Sequence, residues 1–454
     1  MSEIQQLKNE RTALFEDTYD NIIPKRVPIN VNICIEAVAE AKGLNIRDVN
    51  WNPGSVEPAA HDICKQIYSD ICPAGVFSVR FPAFYEISKS ESFKMGSNGF
   101  MQHPEVVGMN AEDYDDLIEN PWDFLLEKVL SQHYKRFETD NKIEMALYMT
   151  KTLIARNEDL FVSLGLLGKL SSIYGYYMEN GRARAMTTAP FDFLADQLRS
   201  FSGISGDVRR IPEKVLAACD AIYPLMLKAG SPHMKTKHAR HYSFLHMPTF
   251  MREKDFKKLW WPSFLKLCNE LGSMGIQTET FCEDNWDRYL DYLYELPVNS
   301  ILKFEYGDAQ KITDKLGNKH IITGLYPITL LKTGTKQQCV DKAKELIDIL
   351  APGGKYIFSL DKQVITATSI KLDNLAAVTE YVRDNTNYTN VGETAGIPFN
   401  KEDYTVEPSK GFESKYYLTK KDYKNQNDKL TDFACSKLQH YDDTMFDFLV
   451  KLFF

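Results

Sequence analysis

Long apolar runs are absent from this sequence, and so is any excess of positive charge. No stretch approaches the roughly 20 apolar residues that a membrane-spanning helix needs. The net charge is −8 at pH 7, whereas general nucleic-acid binding requires a basic surface. The opening residues, MSEIQQLKNERTALFED, lack the apolar centre of a signal peptide. We therefore expect a cytoplasmic protein that acts neither on nucleic acid nor in a membrane.

Paired cysteines are missing as well. The eight cysteines are scattered along the chain without a CxxC motif, which indicates free thiols rather than a disulfide framework. Repeats and low-complexity tracts are also absent. What is present is a chain of 454 residues, 44% of them hydrophobic. That composition is sufficient for one large α/β domain or for two to three smaller ones.

The segment 275–361 carries the clearest pattern in the chain. Strand-like runs alternate there with helix-like runs. Strands separated by helices at this spacing need right-handed crossover connections and form a parallel sheet. The four strand-like runs are GIQTETF (275–281), ILKFEYG (301–307), HIITGL (320–325) and KYIFSL (355–360).

Capping residues mark two helix starts in the same segment. Asp308 is placed to cap the helix that follows the second run. Thr335 and Gln338 form a capping-box signature ahead of a longer apolar pattern. Both signals predict helices between the strands.

Polar side chains follow the predicted strands. In parallel βα folds the carboxyl ends of the strands meet on one side, and catalytic residues lie there. One carboxylate at such an end caps a helix as readily as it catalyses a reaction, but several at successive ends indicate a site. The candidates are Cys282, Glu283, Glu305 and Asp361.

Further elements are predicted upstream. VPINVNICIE (27–36) alternates like a first strand, and PAGVFSVRFPAF (73–84) is predicted as another. Residues 90–110 are rich in Gly, Ser, Asn and Pro, so we predict a lid or substrate loop that includes His103, or else a surface excursion. His246 lies near the end of another strand-like run, where an imidazole is either a hydrogen-bonded structural residue or a metal ligand.

Several stretches resemble the uroporphyrinogen decarboxylase superfamily, and together they cover most of residues 20–390. The similarity implies an α/β fold, a (β/α)8 TIM barrel with its site at the carboxyl ends of the strands. The stretches are WDRYLDYLYELPV (286–298), FEYGDAQKITDKLG, ITGLYPITLLKTGT, the helix ending ELIDILAPGG, KLDNLAAV, APFDFLADQLR and RRIPEKVLAACDAI.

The resemblance also sets a domain interpretation. Residues 1–26 form an N-terminal extension with an exposed helix, and residues 27–390 form the catalytic barrel. Residues 391–454 form a C-terminal extension whose last segment has apolar residues at helical spacing. That apolar face packs on the barrel or meets a partner chain, so a homo-oligomer stays possible.

The superfamily contains tetrapyrrole decarboxylases and corrinoid-dependent methyltransferases. The decarboxylases carry an arginine-rich stretch after the first strand, where this chain reads NVNICIEAVAEAKG and has no arginine before Arg47. Because bidentate arginine is the natural clamp for carboxylates, the missing cluster argues against a porphyrinogen substrate. The sequence is similar instead to the corrinoid-dependent, O-demethylase-type branch.

The methyltransferases of this superfamily hold zinc with a His-x-Cys pair after one strand and a cysteine after a later one. Here the first position reads TFC (280–282) and the later one reads LDK (360–362), so only one cysteine is kept. Two interpretations stay open. Either an altered zinc site draws its ligands from Cys282, His246, Glu283, Glu305 and Asp361, with Cys282 and His246 as the expected ones, or no metal is bound and the carboxylates act as acids or by charge.

The resemblance implies transfer of a methyl group from a methoxylated aromatic, or a similar small donor, to the cobalt of a separate corrinoid-binding protein. The leaving oxygen needs a proton donor or a Lewis acid. The methyl group must point out of the opening at the carboxyl ends of the strands, toward the cobalt. Glu283, Glu305 and Asp361 are the expected acids. The residues expected to hold the donor, or else to pack in the core or rim, are Phe84, His103, Phe281, Trp286 and Tyr326.

Two other functions fit the resemblance. The first is methyl transfer from methylcobalamin to a thiol or another acceptor, which requires zinc to lower the thiol pKa. The second is a barrel without catalysis that acts as a binding partner through its C-terminal segment. Bound zinc would indicate thiol methylation rather than demethylation. A partner that still binds after the residues at the strand ends are mutated would indicate a binding protein.

Overall fold

A computed structural model gives the fold for residues 2–76, 80–404 and 406–454. Within these ranges eight strands are formed. They are β1 (Lys94–Met95), β2 (Met101–Gln102), β3 (Arg184–Met186), β4 (Arg240–Leu245), β5 (Gln277–Asn285), β6 (Ile301–Tyr306), β7 (Ile321–Tyr326) and β8 (Tyr356–Leu360).

The strands β3 to β8 form one parallel sheet in which each strand lies beside its neighbours in sequence order. This arrangement confirms the parallel sheet predicted for 275–361. The pair β1 and β2 forms a separate antiparallel hairpin within the predicted loop 90–110.

Two extended segments continue the sheet through single bridges. Ile29 bridges Phe358 of β8, and Ile33 bridges both Ala74 and Val364, all in parallel. The described structure is thus a mixed α/β fold with a six-stranded parallel sheet. The complete eight-stranded barrel stays a prediction.

Helices before the main sheet build the first part of the fold. The predicted strand 73–84 is wrong at its end, because Phe81 and Pro82 begin a helix there, while residues 77–79 lie outside the described ranges. These helices are α1 (Glu3–Tyr19), α2 (Ile35–Ala41), α3 (Ile46–Trp51), α4 (Glu57–Gln66), α5 (Pro82–Ser88), α6 (Tyr114–Glu119), α7 (Pro121–Phe124), α8 (Leu130–His133) and α9 (Lys142–Tyr174).

Helices after β3 connect the strands of the sheet or follow it. They are α10 (Pro190–Phe193), α11 (Ser200–Arg210), α12 (Pro212–Gly230), α13 (Glu253–Asp255), α14 (Trp261–Ser273), α15 (Leu290–Glu295), α16 (Ala309–Leu316), α17 (Ile328–Thr333), α18 (Lys336–Leu350), α19 (Leu372–Asn385), α20 (Lys420–Gln426) and α21 (Asp432–Val450). None of the described helices has the length and hydrophobicity needed to cross a membrane.

Both predicted caps are confirmed. The Asp308 side chain accepts hydrogen bonds from the backbone N–H groups of Gln310 and Lys311 in the first turn of α16. Thr335 and Gln338 form the reciprocal capping box at the start of α18. These local bonds fix where two of the crossover helices begin.

Three helices contain a π-helical stretch, at Leu125–Val129, Leu194–Arg199 and Phe256–Trp260. Wider turns of this kind are rare and are frequent at functional sites, because they redirect side chains. The stretch Leu194–Arg199 follows α10 directly, and its Asp196 side chain contacts His246 just after β4 ends.

The N-terminal helix is not exposed as predicted. One face of α1 is buried, and Phe15 and Tyr19 pack in an apolar cluster with Ile301, Ile321 and Ile357. These three residues lie at the amino ends of β6, β7 and β8. The helix α1 therefore covers the end of the sheet opposite the carboxyl ends of its strands.

The C-terminal segment packs on helices from the middle of the chain. The Phe446 ring lies 4.7 Å from that of Trp122, and the Lys228 ammonium contacts the Asp443 carboxylate at 2.5 Å. Tyr134 donates a 2.6 Å hydrogen bond to the backbone oxygen of Leu452. The apolar face of α21 is thus used inside the chain, and the domain boundaries at 26 and 390 stay predictions.

A buried ion pair joins the segment after α1 to the segment after α4. Asp70 is fully buried and accepts hydrogen bonds at 2.6 and 2.8 Å from the Arg26 guanidinium. It also accepts one from the Ile29 backbone N–H at 2.8 Å and one from Tyr68 at 3.1 Å. The Asp70 carboxylate thus binds both the buried Arg26 guanidinium and the backbone of the extended segment at Ile29.

We expect Asp70→Asn to lower the free energy of unfolding by about 3–5 kcal/mol, because it leaves the Arg26 charge buried without its partner. Urea unfolding followed by circular dichroism measures the change. Asp115→Asn is the control, because Asp115 pairs with Lys214 at the surface and such pairs contribute about 0–1 kcal/mol. Equal stability of the two variants contradicts the expectation.

Candidate functional site

The strands of the sheet present alternate side chains to two environments, as strand geometry requires. On β5, Thr280 and Cys282 are fully buried, and Cys282 belongs to the apolar cluster that includes Phe264 of α14. Phe281 and Glu283 lie on the opposite face and are only partly buried. We call this second face the interior face.

Strand register aligns four side chains on the interior face. Phe244 of β4 pairs with Phe281 of β5, Phe281 pairs with Lys303 of β6, and Lys303 pairs with Thr323 of β7. The Lys303 ammonium lies 5.1 Å from the centre of the Phe281 ring. We call these four residues the lower layer.

Two residues further along their strands come His246, Glu283 and Glu305, which we call the mouth. Glu283 is influenced by the charges of both His246 and Glu305, as well as by Asp196. The structure thus brings three of the predicted site residues together at the carboxyl ends of β4, β5 and β6. Asp196 joins them from the π-helical stretch after α10.

His246 forms an ion pair with Asp196 at the mouth. The His246 Nδ1 atom donates to the Asp196 carboxylate at 3.1 Å. This hydrogen bond is the main cause that raises the pKa of His246 to about 9, against the opposing effect of burial and with help from the Glu283 and Asp192 charges. The imidazole is therefore protonated at neutral pH.

Asp192 lies beneath this pair and positions it. Its carboxylate, fully buried, accepts hydrogen bonds from Trp260 Nε1 at 2.8 Å and from the backbone N–H groups of His246 and Met247 at 3.3 Å. Burial and then the Asp196 charge raise the pKa of Asp192. Asp192 holds the chain at His246 in place after β4 ends.

Glu283 differs from the other carboxylate of the mouth. Burial raises the pKa of Glu283, although the nearby His246 charge opposes the increase. Among the described residues, none donates a hydrogen bond to its carboxylate. Burial thus makes the Glu283 carboxylate easier to protonate than an ordinary glutamate, which suits a role in proton transfer.

Glu305 is held as an anion. Burial acts to raise its pKa, but the Lys362 ammonium at 2.6 Å and the Asp284 backbone N–H at 2.9 Å lower the pKa of Glu305 overall. Lys362 also donates to Tyr306 at 2.7 Å. The pKa values of the two glutamates of the mouth are therefore shifted in opposite directions, an arrangement that acid–base chemistry uses.

Asp361 lies at the end of β8, where the sequence predicts an acid. Its carboxylate accepts from the backbone N–H groups of Ile328 at 3.2 Å and Lys362 at 2.7 Å, and only 2% of the residue is exposed. Burial raises the pKa of Asp361 against these two bonds. In this position Asp361 orders the loops after β7 and β8.

Unusual backbone angles occur at the same ends of the strands. Asp284 and Leu325 have left-handed φ angles of 60° and 66°, and Gly324 has a φ of 87°. A bulky residue such as leucine rarely adopts this conformation, and such outliers cluster at functional sites. Replacement of Gly324 by a larger residue also has no room, because an added Cβ atom would lie 2.3 Å from the Phe304 oxygen.

Of the predicted substrate-binding residues, His103 and Phe281 lie at the mouth or just below it. The His103 ring stacks on Phe93 with centres 4.3 Å apart. Burial, followed by the Arg80 charge, lowers the pKa of His103, and the Asp196 and His246 charges act on it as well. The predicted loop 90–110 therefore reaches the mouth.

The other three predicted substrate-binding residues lie in the core. Phe84 packs edge-on against Tyr85 and Tyr134. Trp286 is fully buried and donates through Nε1 to the Glu283 backbone oxygen at 2.9 Å. Tyr326 is fully buried as well and bonds the Cys339 backbone oxygen. These aromatic side chains pack the helical layer and do not reach the interior face.

The predicted metal ligands Cys282 and His246 are not brought together. The Cys282 thiol points into the apolar layer against α14, and burial raises its pKa strongly. Among the described residues no group of three or more His, Cys, Asp or Glu side chains is arranged to hold a metal ion. Because structural and catalytic zinc sites use at least three protein ligands, these residues do not fit zinc.

Several residues of the site were missed by the sequence reasoning. Asp192 and Asp196 lie four residues apart in the APFDFLAD stretch, a spacing that places both on one helical face. Lys303 interrupts the apolar first four residues of the strand ILKFEY, and this was a usable signal for an interior polar group. Phe244, 43% exposed at the end of β4, gave no comparable signal.

Comparisons with known proteins leave the family open. No family model matches the sequence, and no curated protein matches it. Among solved structures the fold is similar to a methyltransferase from Methanosarcina mazei, at 13% sequence identity and a TM-score of 0.49 over 82% of this chain and 98% of that one. A likeness at this level assigns neither fold nor function to the chain.

The His246–Asp196 pair makes a testable prediction. Because the folded pKa of His246 lies above its ordinary value near 6.5, the pair stabilises the fold fully below about pH 6.5. That stabilisation is lost as the pH rises towards about 9. We expect Asp196→Asn to bring the pKa of His246 down towards its ordinary value.

Histidine-labelled protein titrated by NMR measures this pKa, and His246→Gln assigns the signal. Asp115→Asn, far along the chain and at the surface, is the matched control and leaves the titration unchanged. A His246 pKa that is the same in wild type and Asp196→Asn refutes the assigned cause.

Proposed function

We propose that this protein is the substrate-side methyltransferase of a corrinoid-dependent demethylation system. It takes a methyl group from a methoxylated aromatic, or a similar donor, and passes it to the cobalt of a separate corrinoid-binding protein. The observation that carries the proposal is the position of Glu283, whose pKa burial raises, and of His246 beside an aromatic wall on the interior face. The resemblance of the sequence motifs to corrinoid-dependent methyltransferases supports it.

Acid groups at the mouth meet the main requirement of the reaction. An alkoxide or phenoxide is a poor leaving group, so the oxygen must receive a proton as its bond to carbon breaks. Glu283, whose pKa burial raises, is the proton donor in this proposal. The protonated His246 next to it stabilises the negative charge that develops on the oxygen.

The step balances without a further reactant. The carbon–oxygen bond breaks with its electron pair going to oxygen, and the Glu283 proton goes to the same atom. The reduced cobalt of the partner supplies the electron pair of the new bond to the methyl carbon. The products are the free phenol and the methylated partner, and Glu283 regains its proton from solvent at the mouth.

Aromatic side chains of the interior face suit a ring-shaped donor. Phe244 and Phe281 lie side by side in the lower layer, and the Phe244 ring makes an edge contact with Tyr242 at 5.0 Å. Aromatic pairs of this kind bind a third ring by stacking or edge contacts. A donor ring placed here has its ether oxygen next to Glu283, two residues further along β5.

Exposed aromatic residues beside the mouth suit a docking partner. Phe250 is 59% exposed and Phe201 is 44% exposed, and their rings lie 5.3 Å apart. Phe250 also contacts the His246 ring at 6.0 Å. Exposed apolar groups next to a reaction site are typical of places where another protein binds.

The fold in this proposal is a complete (β/α)8 barrel of the uroporphyrinogen decarboxylase superfamily. The bridges of Ile29 and Ile33 supply two further parallel segments next to β8. The Tyr177 backbone N–H donates to the Asp70 oxygen at 2.8 Å, which joins the outermost of these segments to the chain just before β3. Those contacts support closure of the sheet.

Thiol methylation is disfavoured as the activity. That chemistry uses zinc to lower the pKa of the thiol, and the residues at the mouth do not fit zinc, because the Cys282 thiol lies on the other face of β5.

Glu283→Gln tests the proposal. With a reduced corrinoid protein and a panel of methoxylated aromatic donors, we expect wild-type protein to methylate the corrinoid, seen as a change in its visible spectrum. The variant loses about 10²- to 10⁴-fold in rate, because the amide cannot donate the proton as an acid does. The wild-type rate falls as the pH rises through the raised pKa of Glu283, and the residual rate of the variant lacks this dependence.

Glu213→Gln is the matched control, since Glu213 forms a surface ion pair with Lys258, and its rate stays at the wild-type value. Absence of any corrinoid methylation across the donor panel contradicts the proposed function. A Glu283→Gln variant with wild-type rate and pH profile removes Glu283 from the mechanism.

A further inference from the structure

The lower layer contains a cation whose counter-charge the chain does not supply. Lys303 points to the interior face from the middle of β6, and burial is the main cause that lowers its pKa. Among the described residues it forms no ion pair or hydrogen bond, and its ammonium lies 5.1 Å from the centre of the Phe281 ring. The side chain is partly buried, and an ammonium that loses part of its hydration without a paired anion is destabilised.

Each carboxylate that influences Lys303 is engaged elsewhere. Glu279 pairs with Arg184 at 3.1 Å, and Glu305 pairs with Lys362 at 2.6 Å. Asp361 accepts two backbone hydrogen bonds at the end of β8. Lys303 is therefore attracted by three acids without being paired by any of them.

A second polar group beside Lys303 also lacks a partner. Thr323, the register neighbour of Lys303 on β7, is 5% exposed, and its hydroxyl has no hydrogen-bond partner among the described residues. Buried hydroxyl groups are nearly always bonded, so an unsatisfied one calls for an explanation. Neighbouring strands lie about 4.8 Å apart, which places the two groups within reach of the same ligand.

We propose that Lys303 and Thr323 form a binding subsite for a carboxylate, and that the substrate is an aromatic acid. The ammonium neutralises the carboxylate and the hydroxyl donates to one of its oxygens, while Phe281 and Phe244 contact the ring. This inference rests on the proposed function for the identity of the reacting group. The subsite itself depends only on the two unpaired side chains.

The spacing of the layers restricts the position of the carboxylate on the ring. Side chains two residues apart on one face of a strand are separated by roughly 6.6 Å. Measured along the strands, this is the separation between Lys303 and Glu305 on β6 and between Phe281 and Glu283 on β5. It is close to the length of a benzene ring measured between opposite substituents, so a carboxylate at Lys303 places a para methoxy group at Glu283.

Binding without turnover tests the subsite. Titration calorimetry of the full chain, with no corrinoid protein present, compares 4-methoxybenzoate with its neutral analogue 4-methoxybenzamide and with 2-methoxybenzoate. We expect 4-methoxybenzoate to bind the wild type more tightly than both. Lys303→Met weakens its binding roughly tenfold or more, since a hydrogen bond to a charged group is lost, and leaves the amide within about threefold. Thr323→Val weakens the benzoate by a smaller factor.

Lys344→Met, an exposed lysine on α18, is the matched control and binds like wild type. Lys303→Met also keeps or raises the melting temperature, because an unpaired and partly buried charge is removed; a clear decrease indicates a structural role and overturns the proposal. It is overturned as well if 4-methoxybenzoate shows no saturable binding, or if Lys303→Met binds it as tightly as wild type. Lys303-dependent binding without methyl transfer to a corrinoid protein refutes the proposed function and leaves the subsite standing.

Discussion

The two-residue alternation of side chains along parallel strands is the constraint on which the whole site depends. On β5 it sends Cys282 into the helical layer and Glu283 to the interior face. A shift of one residue in the register would exchange them, bury a carboxylate against α14 and expose a thiol at the mouth. The registers with β4 and β6 hold this strand in place, so the chemistry of the mouth is a consequence of sheet pairing.

Local patterns were sufficient to predict the second half of the fold. The strands β5 to β8 and the caps at Asp308 and Thr335 follow from residues that are close in sequence. The exposure of α1 was predicted wrongly, because its buried face is created by contacts with residues almost 300 positions away, such as the hydrogen bond from Asn299 to the Tyr19 oxygen. A composition that looks exposed in isolation gives no sign of such a partner.

The site was predictable in part, for the same reason. Glu283, Glu305 and His246 are at the mouth, because strand ends are visible in the sequence as the places where alternation stops. Which face of such a strand lines the site depends on tertiary packing, and the sequence of the strand alone does not show it. Asp196 could not be assigned a role, because its partner His246 is 50 residues away.

The position of α1 has a kinetic consequence for the proposed reaction. Phe15 and Tyr19 close the amino end of the sheet. A donor and a docking protein must therefore both approach the site from the carboxyl ends of the strands. A ring bound as deep as Lys303 is then trapped once the acceptor covers the opening. Under the proposed function, turnover follows a compulsory order in which the donor enters first and the demethylated product leaves last, after the acceptor has departed.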